Sequence, residues 1–247
     1  MKLAFLYAGQ GSQHVGMGRD LYEAYPAFRQ VLDSAPVDFD LKKLCFEGPE
    51  EQLNDTRYTQ PCMVAFAAGV TALLKDAGIV PDYAAGLSLG EYSALQCAGV
   101  FDAPTAISLV AFRGQAMANA VQGRPCGMAA VLGMDRESLK AVCAQASEAG
   151  VVECTNFNCP GQIVISGDAA AVDKAGELAK AAGAKRVLPL KVSGPFHTSL
   201  MAPAGDALRE KFQSVSFGEM EIPVLFNCLG DLKGEADTIP NLLERQV

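Results

Sequence analysis

Asp82-Tyr83-Ala84-Ala85-Gly86-Leu87-Ser88-Leu89-Gly90-Glu91-Tyr92-Ser93-Ala94 is the stretch on which the fold turns. Residues 82–86 read as a short strand and 91–98 as a helix. Between them stands G-x-S-x-G, whose glycines permit a sharp strand-to-helix turn that projects the serine hydroxyl. A chain of this composition would show about 0.1 such matches by chance, so the weight lies in the strand–turn–helix context. In that context the amide of Leu89, at the helix start, faces any oxyanion forming beside Ser88.

A serine hydroxyl is a weak nucleophile without a base. The chain has two histidines, His14 and His197. His197 stands in Ser193-Gly194-Pro195-Phe196-His197-Thr198, after a predicted strand and before a helix, a place that can point into a cleft. A structural role for it is equally compatible with the sequence alone, and no flanking Asp supplies a third member.

Outward from this turn, residues 2–7 read as a first buried strand, followed by the Gly-rich loop Gly9-Gln10-Gly11-Ser12-Gln13. That loop fails both nucleotide patterns. The dinucleotide fingerprint needs Gly where His14 stands, and the P-loop needs Lys and Ser/Thr where Met17 and Gly18 stand. Exposed backbone amides near a strand end remain, able to line a site or to form a plain turn. Helices are expected over 17–34 and 61–77, the second with Thr59 as cap and Pro61 in its first turn. Another helix is expected over 103–121.

Residues 127–190 have a separate rhythm. Strands at 128–132, 151–155, 162–166 and 185–190 alternate with two helices, capped by Asp135 and Asp168 and ending near Gly150 and Gly183. A turn is expected through Asn158-Cys159-Pro160-Gly161. The order is βαββαβ, a ferredoxin-like arrangement. A helix at 199–213, a strand at 224–227 and a helix near 238–246 follow. The fold class is therefore α/β: a larger domain of 1–125 and 191–247 with a mostly parallel sheet, and an inserted subdomain of 126–190.

Composition limits the alternatives. The 247 residues are 50% hydrophobic and 19% charged, which excludes disorder, collagen and coiled coil. A net charge of −8 with no basic run argues against nucleic acid. The apolar stretch 62–74 is too short for a bilayer, and the N-terminal apolar run breaks at Gly9, short of a signal peptide. Eight dispersed cysteines with no C-x-x-C read as reduced thiols, hence a cytoplasmic protein.

Five motifs occur in order: Gly9-Gln10-Gly11-Ser12-Gln13, Gly86-Leu87-Ser88-Leu89-Gly90-Glu91-Tyr92-Ser93-Ala94, Phe112-Arg113-Gly114-Gln115-Ala116-Met117, Asn156-x-Asn158-x-Pro160-Gly161-Gln162 and Gly194-Pro195-Phe196-His197. On these the chain resembles the malonyl-CoA:acyl-carrier-protein transacylases of fatty acid synthesis, over essentially its whole length. The resemblance implies an α/β-hydrolase-like core with a ferredoxin-like insertion. It implies Ser88 as nucleophile forming a malonyl ester, and His197 as general base and then acid. The backbone amides of Gln10 and Leu89 would form the oxyanion hole. Arg113 would hold the malonyl carboxylate bidentately, a geometry that suits guanidinium. Without the resemblance, the reading favoured for an arginine in that apolar helix is that it snorkels or pairs with a surface acid.

The resemblance further implies that the main-chain carbonyl of Gln246 orients His197, which would account for the missing acid. Asn156 and Asn158 would lie on a loop facing the cleft, and Phe196 matches malonyl-selective members. No metal or bound organic cofactor is implied: the CoA thioester is a substrate, and the phosphopantetheine belongs to the partner, acyl carrier protein. Lys185, Arg186 and Lys191 are candidates for a basic patch meeting that partner. The chain departs from the family at Leu87, where many members have His, which is expected to alter pocket shape. It also ends one residue after Gln246, where members normally continue. The alternatives are a serine hydrolase or thioesterase on the same nucleophile, which would not need Arg113, and a shortened chain with impaired activity.

Overall fold

The computed structural model describes residues 2–190 and 194–247; Lys191 and Ser193 lie outside the described residues. The elements are β1 (Ala4–Tyr7), α1 (Arg19–Ala24), α2 (Pro26–Asp33), α3 (Leu41–Glu47), α4 (Glu50–Leu53), α5 (Thr56–Asp76), β2 (Tyr83–Gly86), α6 (Gly90–Cys97), α7 (Ala103–Ala120), β3 (Cys126–Leu132), α8 (Arg136–Ala146), β4 (Val152–Cys159), β5 (Gln162–Asp168), α9 (Ala169–Ala181), β6 (Arg186–Pro189), α10 (Ala202–Phe212), β7 (Val224–Phe226), β8 (Asp231–Leu232) and α11 (Ile239–Gln246). Two compact units result, Met1–Gln115 with Leu208–Gln246, and Ala116–Ala207 with Val247. The division falls inside α7 and α10, so the smaller unit takes in residues on both sides of 126–190. No helix among the described residues is long and apolar enough to cross a membrane.

The larger unit is built on a sheet of order β1-β2-β7-β8. β1, β2 and β7 run parallel, with Ala4 opposite Tyr83 and Ala84 opposite Val224, while β8 returns antiparallel. β1 is not the buried strand expected: among the described residues it is an edge strand, paired with β2 alone, and Leu6 is 80% exposed. It borders a groove of about 390 Å³ lined also by Met63, Phe66 and Val70 of α5.

Local chemistry moves several helix limits. The expected 17–34 helix breaks at Tyr25 (φ −124°, ψ 116°), because Pro26 drives the preceding residue out of the helical region. α5 begins upstream of Pro61: Asp55, not Thr59, is its cap, accepting from the Arg57 amide at 3.0 Å. The Thr59 hydroxyl instead donates to the Leu53 and Asp55 carbonyls at 2.6 and 2.9 Å. α3, α4 and β8 were not expected from the sequence; α3 is capped by Asp40, which accepts from Lys43 N.

The smaller unit carries an antiparallel sheet of order β4-β5-β3-β6, the ferredoxin-like order for βαββαβ. Leu139 and Val142 of α8 and Val172 and Ala175 of α9 pack on Val131, Ile163 and Ile165. Asp135 caps α8 as expected, accepting from Ser138 N at 2.9 Å. Asp168 occupies the cap position of α9 without capping through its side chain. Its carboxylate is already committed to Arg124 (Nε–Oδ1 2.5 Å) and to the Val151 amide (2.8 Å). β4 continues to Cys159, so the expected four-residue turn narrows to Pro160-Gly161.

Candidate active site

The turn between β2 and α6 is as tight as its sequence requires. A Cβ on Gly86 would stand 2.0 Å from the Gly90 carbonyl, and one on Gly90 would stand 2.3 Å from the Tyr7 carbonyl. No other residue type fits that crossing. A Cβ on Gly9 would stand 2.7 Å from the Leu87 carbonyl oxygen, so the Gly-rich loop also passes close to the turn. Ser88 itself adopts φ 51°, and the only other non-glycine residue with positive φ among the described residues is His197, at φ 63°. Such backbone is held against an intrinsic cost of order 1 kcal/mol or more and concentrates at functional positions. The structure therefore singles out the same two residues that the sequence nominates.

Side chains distant in sequence pin the Ser88 backbone on both sides. The Ser88 amide donates to Asn227 Oδ1 at 2.8 Å, and the Ser88 carbonyl accepts from Gln246 Nε2 at 2.6 Å. Asn227 Nδ2 also donates to the Gly86 carbonyl at 2.6 Å. Beneath Asn227 lies Glu91, whose Oε2 accepts from the Asn227 backbone amide at 2.6 Å and from Asn227 Nδ2. An ionised carboxylate only accepts, so it compels Asn227 to present Nδ2 downward and Oδ1 to Ser88. Burial pushes Glu91 up to about 7, against hydrogen bonds from Asn227 and the charge of Arg113.

Arg113, in α7, is 1% exposed. Nη2 donates to Ser88 Oγ at 3.2 Å and to Gln246 Oε1 at 3.0 Å, and Nη1 donates to Gln60 Oε1 at 2.9 Å. The guanidinium lies 5.4 Å from the centroid of the Tyr92 ring. Gln60 Nε2 donates to Thr56 Oγ1 (3.0 Å), which donates to Gln10 Oε1 (2.8 Å). Arg113 is therefore not a snorkelling surface residue: a chain of amides and hydroxyls aims it at the serine.

The smaller unit holds the other nominated residues. His197 is half-buried and Phe196 is 8% exposed. The backbone after His197 is fixed: the Thr198 hydroxyl donates to the Pro195 carbonyl at 2.7 Å and caps the 3₁₀ turn Ser199–Met201, and the Ser199 amide donates to Glu153 Oε2 at 3.1 Å. Asn156 and Asn158 lie within strand β4 and not on a loop, because β4 extends through them with irregular register. Asn156 is half-buried and Asn158 exposed. Lys185 and Arg186 are exposed at the start of β6.

Asn227, Glu91, Gln60 and Thr56 were missed by sequence reasoning, as was the side chain of Gln246. Two of these, Asn227 and Glu91, carry a signal in the sequence. Asn227 is the polar end of an apolar strand at the carboxyl edge of a parallel sheet, where sites form. Glu91 is a carboxylate directly after the G-x-S-x-G turn. Asn227→Ala is expected to cost about 2–4 kcal/mol of stability, since it strands the Ser88 amide and the Gly86 carbonyl. It should also lower kcat more than it raises KM. A denaturation midpoint unchanged from wild type would refute the clamp.

A serine presented on a strand–turn–helix, with a buried guanidinium at its hydroxyl, suits an acyl-transferring enzyme, and residues 4–234 match the model of the acyl transferase domain. The chain is 46% identical to the malonyl CoA-acyl carrier protein transacylase of Bacillus subtilis, over 99% of this chain and 78% of that protein. The corresponding protein of Streptococcus pneumoniae superposes with a TM-score of 0.93 at 47% identity, covering 100% of this chain and 81% of that one. A malonyl-transacylase solved in complex with a type II PKS acyl-carrier protein superposes at 0.95 with 42% identity, again over 100% and 81%. The chain belongs to the malonyl CoA-acyl carrier protein transacylase family.

Proposed function

We propose that this chain transfers the malonyl group of malonyl-CoA to the phosphopantetheine thiol of acyl carrier protein, through a malonyl ester on Ser88. Ser88 Oγ attacks the thioester carbonyl as His197 takes its proton, and the amides of Gln10 and Leu89 receive the developing oxyanion. Collapse expels CoA, protonated by the imidazolium. In the second half, His197 deprotonates the carrier thiol, which attacks the ester, and the imidazolium returns the proton to Ser88 Oγ as it leaves. Nucleophile, base and oxyanion donors all come from the chain, so the reading invokes no metal or bound organic cofactor. The carbonyl of Gln246 orients His197, and Asn156, Asn158 and Phe196 shape the acyl and thiol approach.

The observation that carries this reading is the buried Arg113 guanidinium, 3.2 Å from Ser88 Oγ. A simple esterase has no use for a cation there, whereas a free carboxylate on the acyl group does. Eight cysteines without a disulfide support a cytoplasmic setting. The test is the fate of the acyl group: with malonyl-CoA and carrier protein, transfer to thiol is expected to exceed transfer to water by at least about 100-fold. Hydrolysis at a comparable rate would favour the thioesterase reading instead.

A further inference from the structure

Glu91 and Arg113 are the two charged side chains that are buried among the described residues, at 0% and 1% exposure. Both belong to the larger unit and both reach the same serine, Arg113 directly and Glu91 through Asn227. The hydrogen bonds of Arg113 go to Gln60, Gln246 and Ser88, all neutral. Glu91 Oε2 is committed to Asn227, Oε1 is buried and takes no hydrogen bond of normal geometry among the described residues, and the nearby Gln246 side chain favours the ionised carboxylate. One buried anion thus offsets one buried cation. A substrate carboxylate pairing with Arg113 brings a second anion to a region with a single cation. An uncompensated buried charge is expensive, and such groups commonly neutralise instead.

Resting on the role of Arg113 proposed above, we propose that Glu91 is the counter-charge of Arg113 in the free enzyme and takes up a proton on Oε1 when the malonyl carboxylate pairs with Arg113. It thereby sets the preference for a charged over a neutral acyl group. The proton comes from solvent and returns there when malonyl leaves for the carrier thiol; no covalent bond between heavy atoms at Glu91 changes. Burial supports the exchange, since it raises Glu91 to about 7. Arg113 of α7 is the cation whose charge acts on it, and Tyr92 is its neighbour on α6. The remaining groups on packed elements, Tyr7 of β1, Cys62 of α5 and Cys228 after β7, are all pushed up and stay neutral through this range. Lys75 of α5 donates to the Cys97 carbonyl, at the far end of α6. The charges of Arg245 and Asp237 act on Cys228.

The test is the ratio of kcat/KM for malonyl-CoA to that for acetyl-CoA as a function of pH. Ionisations common to both substrates, those of the CoA phosphates among them, cancel in the ratio. In wild type the ratio is expected to fall by up to about tenfold per pH unit above 7, and in Glu91→Gln to be flat. A flat wild-type ratio, or an equal slope in Glu91→Gln, overturns the proposal. The amide also removes an ionisation that burial penalises. The carboxyl pKa is raised from 4.5 to about 7, so its cost is absent at acid pH and complete above 7. Glu91→Gln should therefore melt no lower than wild type above pH 7. If that variant does not fold, proton uptake by wild type on malonylation at pH 8 decides: uptake exceeding that seen with acetyl-CoA supports the proposal, and equal uptake overturns it. Arg113→Gln separates the two readings. Equal losses toward both substrates overturn the role of Arg113, whereas a selective malonyl loss with a flat wild-type ratio overturns only the role of Glu91.

Discussion

Ser88→Ala is expected to abolish the malonyl adduct seen by mass spectrometry and to lower transfer by at least about 10⁴-fold, since it removes the hydroxyl on which the ester is proposed to form. The same position makes a second, independent prediction about stability. Ser88 stands at φ 51°, where a Cβ is unfavourable and glycine is at ease. Ala retains the Cβ, so Ser88→Ala should fold with about the stability of wild type, losing only the 3.2 Å contact to Arg113. Ser88→Gly should be equally inactive yet more stable than Ser88→Ala by about 1 kcal/mol. The measurement is a pair of denaturation curves beside the adduct assay. An adduct surviving in Ser88→Ala would end the assignment of the nucleophile. A glycine variant less stable than the alanine one would show that the backbone at 88 is not strained.

The parts of this molecule legible in the sequence are those written locally. The β2–α6 turn announces itself because a Cβ on either of its glycines would meet backbone at 2.0 or 2.3 Å, so no other residue can stand there. The ferredoxin-like order of the smaller unit is readable because each strand and helix has its own period and Asp135 marks a helix start. Short elements were not readable: α3, α4 and β8 are too brief for periodicity to register. The burial of β1 was misjudged because an apolar run does not reveal whether one or two neighbours flank it. Least legible was the clamp on Ser88. Its members are separated by 139 residues for Asn227 and 158 for Gln246, and an Asn or Gln at a strand or helix end is unremarkable until the fold closes. The family resemblance implies a role for the backbone carbonyl of Gln246; the side chain, bridging Arg113 and the Ser88 carbonyl, emerges only from the packing.

Arg113→Ala should carry the second-largest effect, and should separate substrates as Ser88 variants cannot. The guanidinium makes three hydrogen bonds to Gln60, Gln246 and Ser88 and lies near the Tyr92 ring. A fork of this kind can turn toward a planar carboxylate with two parallel N–H···O bonds, worth about 3–4 kcal/mol where water is excluded. Its loss therefore predicts roughly a 10²–10³-fold fall in kcat/KM for malonyl-CoA. Acetyl-CoA, lacking the carboxylate, should lose about tenfold or less, through looser placement of Ser88. Truncation also leaves Gln60 Oε1 and Gln246 Oε1 buried without their donor, and leaves Glu91 without the cation that offsets it. The fold should accordingly weaken by about 3–5 kcal/mol. Arg113→Lys keeps the charge but not the fork, so it should recover most of that stability while restoring little malonyl selectivity. The malonyl-to-acetyl ratio across wild type, Arg113→Lys and Arg113→Ala, read beside their melting curves, thus distinguishes a carboxylate fork from a packing role. If lysine restored the ratio, a point charge would suffice, and the bidentate geometry would have no part in choosing the substrate.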